Sequence, residues 1–218
     1  MHLNSELLFR KYALNYFSDN IRILEIGADS FPSHYSKIVN SSKINWDTLD
    51  IGDGVSEIPN HIISHFEYNY PIENETYNII IAGQVMEHVK NIWKWVDELK
   101  RITKKNGYLI IISPISWPYH EAPVDCWRIY PEGMKALLEE KGLKIELNHF
   151  ESLEKDLVPS YIPTIPGKST LPLNKIIGRR MRAKFLYNRF LSVFPILNKL
   201  RVPITISYDN ICVCKISS

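Results

Sequence analysis

The chain has 218 residues, enough for one well-cored domain and too few for two. Its 45% hydrophobic and 23% charged residues are the composition of a globular protein, and no apolar run approaches the length of a membrane span. The net charge is only +2, yet residues 155–201 carry ten basic side chains against Asp156 alone, which points to an anionic partner for that segment.

The first element is a helix over about 5–17, with Asn4 or Ser5 available as its cap. Ile21-Arg-Ile-Leu-Glu-Ile-Gly27 reads as a buried strand ending at glycine. Pro32 suits the first turn of a helix running to Val39. Residues 44–50 form a second strand and 61–66 a weaker third. Tyr77-Asn-Ile-Ile-Ile-Ala82 is the strongest strand, apolar without alternation as in a sheet covered on both faces. A helix over 89–104 follows, in which Trp93 and Trp95 serve packing; Asn106-Gly107 ends it. Tyr108–Ser113 is another buried strand. A helix from Pro131 to about Lys141 precedes an alternating strand, 143–150, and Ile204–Ile216 alternates as the last strand. Strand and helix alternate through residue 150, so a parallel sheet covered by helices on both faces is expected, with its ligand at the carboxyl ends of the strands.

Two strand ends carry chemistry. Glu25-Ile-Gly27-Ala28-Asp29-Ser30 follows the first strand, and Asp50 ends the second about two dozen residues later. That spacing suits a tight glycine turn beside a nucleoside whose ribose hydroxyls donate to a carboxylate. Cys126, Cys212 and Cys214 lack metal-site spacing and are read as reduced, and no metal site is expected. The N-terminus lacks a secretory layout, so a cytoplasmic location is expected.

Beyond these patterns, residues 71–89, with Ala82-Gly-Gln-Val-Met-Glu-His-Val89, resemble the fourth-strand signature of the class I, type 11-like S-adenosylmethionine-dependent methyltransferases. Residues 96–114 resemble that family's next helix and strand. His120-Glu-Ala-Pro-Val-Asp-Cys-Trp-Arg-Ile-Tyr-Pro-Glu-Gly133 is similar to a block in members that build surface polysaccharides. The resemblance spans about residues 21–150. It implies seven strands with the last antiparallel, and S-adenosylmethionine as cofactor. By position it places Glu25, Gly27 and Ala28 along the methionine end, Asp50 on the ribose and Ile51 on the adenine, with Gly83 and Gln84 near the sulfonium. The family's loop reads acid-x-Gly-x-Gly-x-Gly, whereas Asp29 and Phe31 stand at the second and third glycines here. Asp29 tolerates positive φ and is expected to make the turn, its carboxylate meeting or repelling the cofactor's charged end. The acid after the third strand aligns to Phe66, with Glu67 beside it.

Methyl transfer from a sulfonium requires alignment and exclusion of water, and a base only where the acceptor is protonated. His120 and His88 are the candidates for catalysis; the alternatives are that His120 orders its own loop and that His88 bonds to backbone. Asp125, Trp127, Arg128 and Tyr130 are candidates for binding a glycan or an anionic group, against a reading in which Asp125 and Arg128 brace the loop and Trp127 is packed. The expected whole is a single domain, 1–218, with a helical basic insertion at 155–201 before the last strand. That insertion serves as an active-site lid or, through 174–201, approaches an anionic membrane surface. The expected activity is O-methylation of a small-molecule or glycan-like acceptor; the rival is a cofactor-free scaffold. A nucleic-acid acceptor is disfavoured, because the aromatic residues of the insertion form no stacking array.

Overall fold

The computed structural model describes residues 3–117, 119–121, 123–153, 186–187, 189–191, 193 and 208–217. In chain order the elements are α1 (Leu3–Tyr12), β1 (Arg22–Ile26), α2 (His34–Val39), β2 (Asn45–Ile51), β3 (His61–Ser64), β4 (Tyr77–Gly83), α3 (Ile92–Ile102), β5 (Thr103–Ser116), α4 (Pro131–Glu140), β6 (Leu143–Glu151) and β7 (Tyr208–Ile216). Single 3-10 turns stand at Leu14–Tyr16 and Met86–His88.

The seven strands form one sheet in the order β3-β2-β1-β4-β5-β7-β6. Every pairing is parallel except those of β7, which is antiparallel to both β5 and β6. The expected fold class is therefore the observed one. From β1 the chain winds outward to β2 and β3, then returns to place β4 on the other side of β1. That reversal opens a crevice at the carboxyl ends of β1 and β4.

The continuous apolar runs are explained by a side-chain period of two in a sheet covered twice. Leu24, Ile26, Ile80, Leu109 and Ile111 pack with α3 and α4 on one face. Ile23, Ile79, Ile81, Ile110 and Ile112 pack with Leu8, Phe9 and Tyr35 on the other.

Several element boundaries differ from the sequence reading. Asn4 and Ser5 do not cap α1; both are buried within it. Asn4 Nδ2 donates to Asp209 Oδ2 at 2.7 Å, and Ser5 Oγ lies 2.8 Å from Tyr35 Oη. The polar pair thus ties α1 to β7 and α2. Pro32, preceded by a cis peptide, lies outside α2, whose cap is Ser33. Helix α3 is shorter than expected because Asn91 caps it at one end and Thr103 already pairs with Tyr77 at the other. Asn106 and Gly107 turn within the bulged start of β5 instead of ending the helix. Strand β7 does not alternate between buried and exposed, since Cys212 and Cys214 pack into the core on one face and Ile211 and Val213 into the core on the other. Most of the basic insertion, and residues 204–207 of the expected last strand, lie outside the described residues.

Gly83 closes the packing of the second face. A Cβ there would fall 2.2 Å from the hydroxyl of Tyr35, a buried, rigid ring already held by Ser5. Gly83→Ala is therefore expected to lower the unfolding free energy by about 1–3 kcal/mol, measured by urea denaturation. Unchanged stability would mean that Tyr35 has room to move.

Candidate functional site

The crevice at the switch point is a cleft of about 320 Å³, within the range of small-ligand sites. Its near wall is the end of β1. Gly27 has φ 71°, its N–H donates to Leu49 O at 2.9 Å, and a Cβ would fall 2.6 Å from Val85 Cγ2. Glycine is thus required twice, for the backbone turn and for the close approach of the loop after β4. Asp50, at the end of β2, lines the cleft half-exposed with His61 Nε2 3.8 Å from its carboxylate. Partial burial raises its pKa, opposed by His61. Ile51 beside it presents an apolar side chain that is 49% exposed.

Across the cleft stands Gln84, a non-glycine residue at φ 60°. Such a conformation persists only where surrounding contacts enforce it. Here the Gln84 N–H donates to Ile112 O at 2.8 Å and its Nε2 to Asp209 Oδ1 at 3.3 Å, while Oε1 is buried without a hydrogen-bond partner. Glu67 pairs with Lys90 at 3.4 Å, and both line the cleft, as do Tyr70, Val85, Val89 and Val124.

Gly27, Asp50, Ile51, Glu67, Gln84 and His88 therefore converge, whereas four other expected cofactor contacts lie elsewhere. Glu25 points to the opposite face of the sheet, where Ser33 Oγ and Trp46 Nε1 donate to its buried carboxyl. Gly83 packs against Tyr35, and Ala28 does not border the cleft. Asp29 does not adopt positive φ; Gly27 makes the turn, and the Asp29 carboxylate pairs with His34 Nδ1 at 2.7 Å. Phe66 is held by Ser64, which accepts from its N–H and donates to its carbonyl, leaving Glu67 to reach the cleft.

At the cleft's outer end the turn after β4 meets the loop after β5. Cys126 N–H donates to Glu87 O at 2.7 Å, Trp127 Nε1 donates to Val89 O at 2.7 Å, and His88 Nδ1 lies 2.5 Å from Val124 O. Because a carbonyl only accepts, His88 carries its proton on Nδ1 and presents Nε2 as a base. His120 stacks edge-on against His88 with ring centroids 5.0 Å apart. Asp125 accepts from His120 N–H at 2.9 Å and from Arg128 Nη2 at 2.7 Å. Those hydrogen bonds, the Arg128 one foremost, hold its carboxyl at about 2. Asp125 and Arg128 thus brace the loop, and Trp127 packs against the main core and edge-on to Trp93. Trp95 is buried, as expected, but Trp93 is 41% exposed. Tyr130 is exposed at the cap of α4.

The residue missed by the sequence reading is Glu87. It is 1% exposed, both carboxylate oxygens lack a hydrogen-bond partner, and burial pushes its pKa up to about 8. The available signal was an acid beside a histidine in an otherwise apolar turn.

The cleft suits the cofactor that the sequence resemblance implies. Asp50 offers a carboxylate to a diol, Ile51 an apolar surface to a purine, and Gln84 Oε1 an acceptor still lacking a donor such as an ammonium. A sequence profile described as a methyltransferase domain matches residues 4–148. Among solved structures, the fold is similar to an S-adenosylmethionine-dependent methyltransferase from Archaeoglobus fulgidus (TM-score 0.58, 16% identity, 96% of this chain and 92% of that one). It is also similar to an S-adenosylmethionine-dependent methyltransferase from Methanosarcina mazei (0.54, 9%, 93% and 95%). A third is Haemonchus contortus phosphoethanolamine N-methyltransferase 2 in complex with S-adenosylmethionine (0.55, 11%, 99% and 53%). No curated protein matches the sequence.

Burial raises the pKa of Glu25 from 4.5 to about 7, against the hydrogen bonds from Ser33 and Trp46. A raised native pKa contributes stability that is complete below the unfolded value and lost as pH rises through the native one. Between pH 5 and pH 8 the wild type should therefore lose up to about 3 kcal/mol relative to Glu25→Gln, which keeps a neutral group. Denaturant unfolding across that range checks this; parallel stability curves would show that Glu25 is ionised throughout.

Proposed function

The chain belongs to the methyltransferase domain family, and on that premise we propose that it is an S-adenosylmethionine-dependent enzyme methylating a hydroxyl of a small-molecule or glycan-like acceptor. The observation that carries this reading is the open cleft at the switch point, with Asp50 turned into it opposite Gln84. The cofactor supplies an electrophilic methyl group on a positively charged sulfur. The protein's own tasks are to hold the nucleoside end at Asp50 and Ile51, to align the acceptor beyond Gln84, and to keep water out.

Oxygen as the accepting atom is supported by the mouth of the cleft. A hydroxyl must lose its proton as it attacks, whereas a neutral amine does not need prior deprotonation. The imidazoles of His88 and His120 stand edge to face there, oriented by Val124 O and Asp125 beside their Nδ1 atoms, which leaves Nε2 of His88 as a basic nitrogen. The glycan-like class is supported by the similarity of the His120–Gly133 block to enzymes of surface-polysaccharide synthesis. Among the described residues no helix is long and apolar enough to cross a membrane. Described side chains of the insertion, Leu186, Phe190 and Val193, are exposed apolar groups, in keeping with a surface that covers a cleft or meets a partner.

Calorimetric titration with S-adenosylhomocysteine tests the cofactor assignment. Wild type should bind one equivalent, and Asp50→Ala should bind at least tenfold more weakly, since removing a charged partner of two hydroxyls costs about 1.5–3 kcal/mol. No binding by wild type at millimolar ligand would instead establish a scaffold without cofactor.

A further inference from the structure

Glu87 clusters with His88 and His120, and it is the one member that the methyl-transfer reading leaves unexplained. Each offers one donor atom, and these three atoms lie within 4.8 Å of one another. The carboxylate is the anomaly. It is buried, its two oxygens have no hydrogen-bond partner, and His88 Nε2 stands 3.8 Å from Oε1. A buried acid with no hydrogen-bond partner either keeps its proton or meets a cation, and two imidazoles beside it supply the further ligands a bound cation needs.

The surroundings supply what a metal site requires. Histidines that bind metals usually donate their second N–H to a carbonyl or carboxylate, which fixes the tautomer and raises the basicity of the ligating nitrogen. His88 does so through Nδ1 to Val124 O at 2.5 Å. His120 Nδ1 lies 3.5 Å from Asp125 Oδ2, which also accepts from the His120 N–H. Arg128, a cation near Glu87, is engaged in a two-pronged pair with Asp125, while Asp125 and Asp209 add negative potential. Donor atoms around an ion at 2.0–2.2 Å stand about 3–3.5 Å apart, so the cluster needs to close by about 1 Å. Rotation of His120, on a loop and 36% exposed, supplies that movement.

We propose that Glu87, His88 and His120 bind one divalent transition-metal ion at the mouth of the cleft, with open coordination positions facing the acceptor. Two imidazoles and one carboxylate select a borderline ion such as Zn²⁺, Co²⁺ or Fe²⁺ over Mg²⁺, which favours all-oxygen sites. Ion binding by these three side chains requires neither cofactor nor acceptor. Its role rests on the methyl-transfer reading: an acceptor hydroxyl bound to the ion becomes more acidic and loses its proton to solvent, with the two histidines acting as ligands.

The test uses the full chain with Co²⁺ and Zn²⁺ as probes and no cofactor present. Wild type should bind one equivalent of Co²⁺, seen by calorimetry and by visible absorption bands. Glu87→Gln and His120→Ala should each weaken binding roughly 100-fold or more, at the upper end of what even supporting residues cost. His65→Ala, at an exposed histidine paired with Asp53, should leave it unchanged. His120→Ala should retain wild-type affinity for S-adenosylhomocysteine, which certifies its fold. No binding by wild type, or equal affinity in all variants, overturns the site. Because the cofactor titration is run without metal, loss of one activity leaves the other measurable.

Discussion

The hydrogen bonds that stitch the loop at residues 124–127 to the turn at residues 87–89 are the constraint on which the site depends. They run from backbone or fixed ring nitrogens to backbone carbonyls, so they place two chain segments without regard to their other side chains. The turn itself is held on the sheet by Gln84, whose backbone and amide reach β5 and β7. Geometry at the mouth of the cleft is therefore inherited from the sheet through two short relays. That is the rigidity that aligned transfer between two bound molecules demands.

Charge at the mouth is arranged by the same loop. Asp125 and Arg128 pair with one another and brace the loop that carries His120, while Glu87 is buried beside the two imidazoles without a hydrogen-bond partner. On the far side of the sheet, Glu25 carries a proton near neutrality because Ser33 and Trp46 only partly offset its burial. Two carboxyls a few residues from the cleft are thus held in opposite protonation states by surroundings alone.

Much of the fold was legible because β-branched runs and glycine stops report directly on strands covered twice. The Gly27 turn and the Asp50 carboxylate were legible for a similar reason: each marks a strand end where backbone or charge has little choice. What the sequence concealed depends on tertiary neighbours. Glu25 stands two residues before Gly27 in the motif, yet alternation along β1 sets it with Ile23 on the face away from Leu24 and Ile26, where Ser33 and Trp46 meet it. Asp29 was given the turn, but His34, one helix start away, captured it. Asn4 and Ser5 look like caps locally, and only the arrival of Asp209 and Tyr35 makes them interior. Glu87 escaped notice because burial of an acid cannot be read from its identity.

Strand β7 sits between β5 and β6, and among the described residues β6 has no other partner in the sheet. During synthesis on the ribosome, β1 to β5 can assemble as they emerge, but β5 keeps one raw edge and β6, though packed with α4, stays unpaired until residues 208–216 leave the exit tunnel. Asn4 and Gln84 likewise wait for Asp209. A nascent chain arrested before that point exposes an apolar, adhesive border, so the step that completes the architecture is also the one most vulnerable to aggregation.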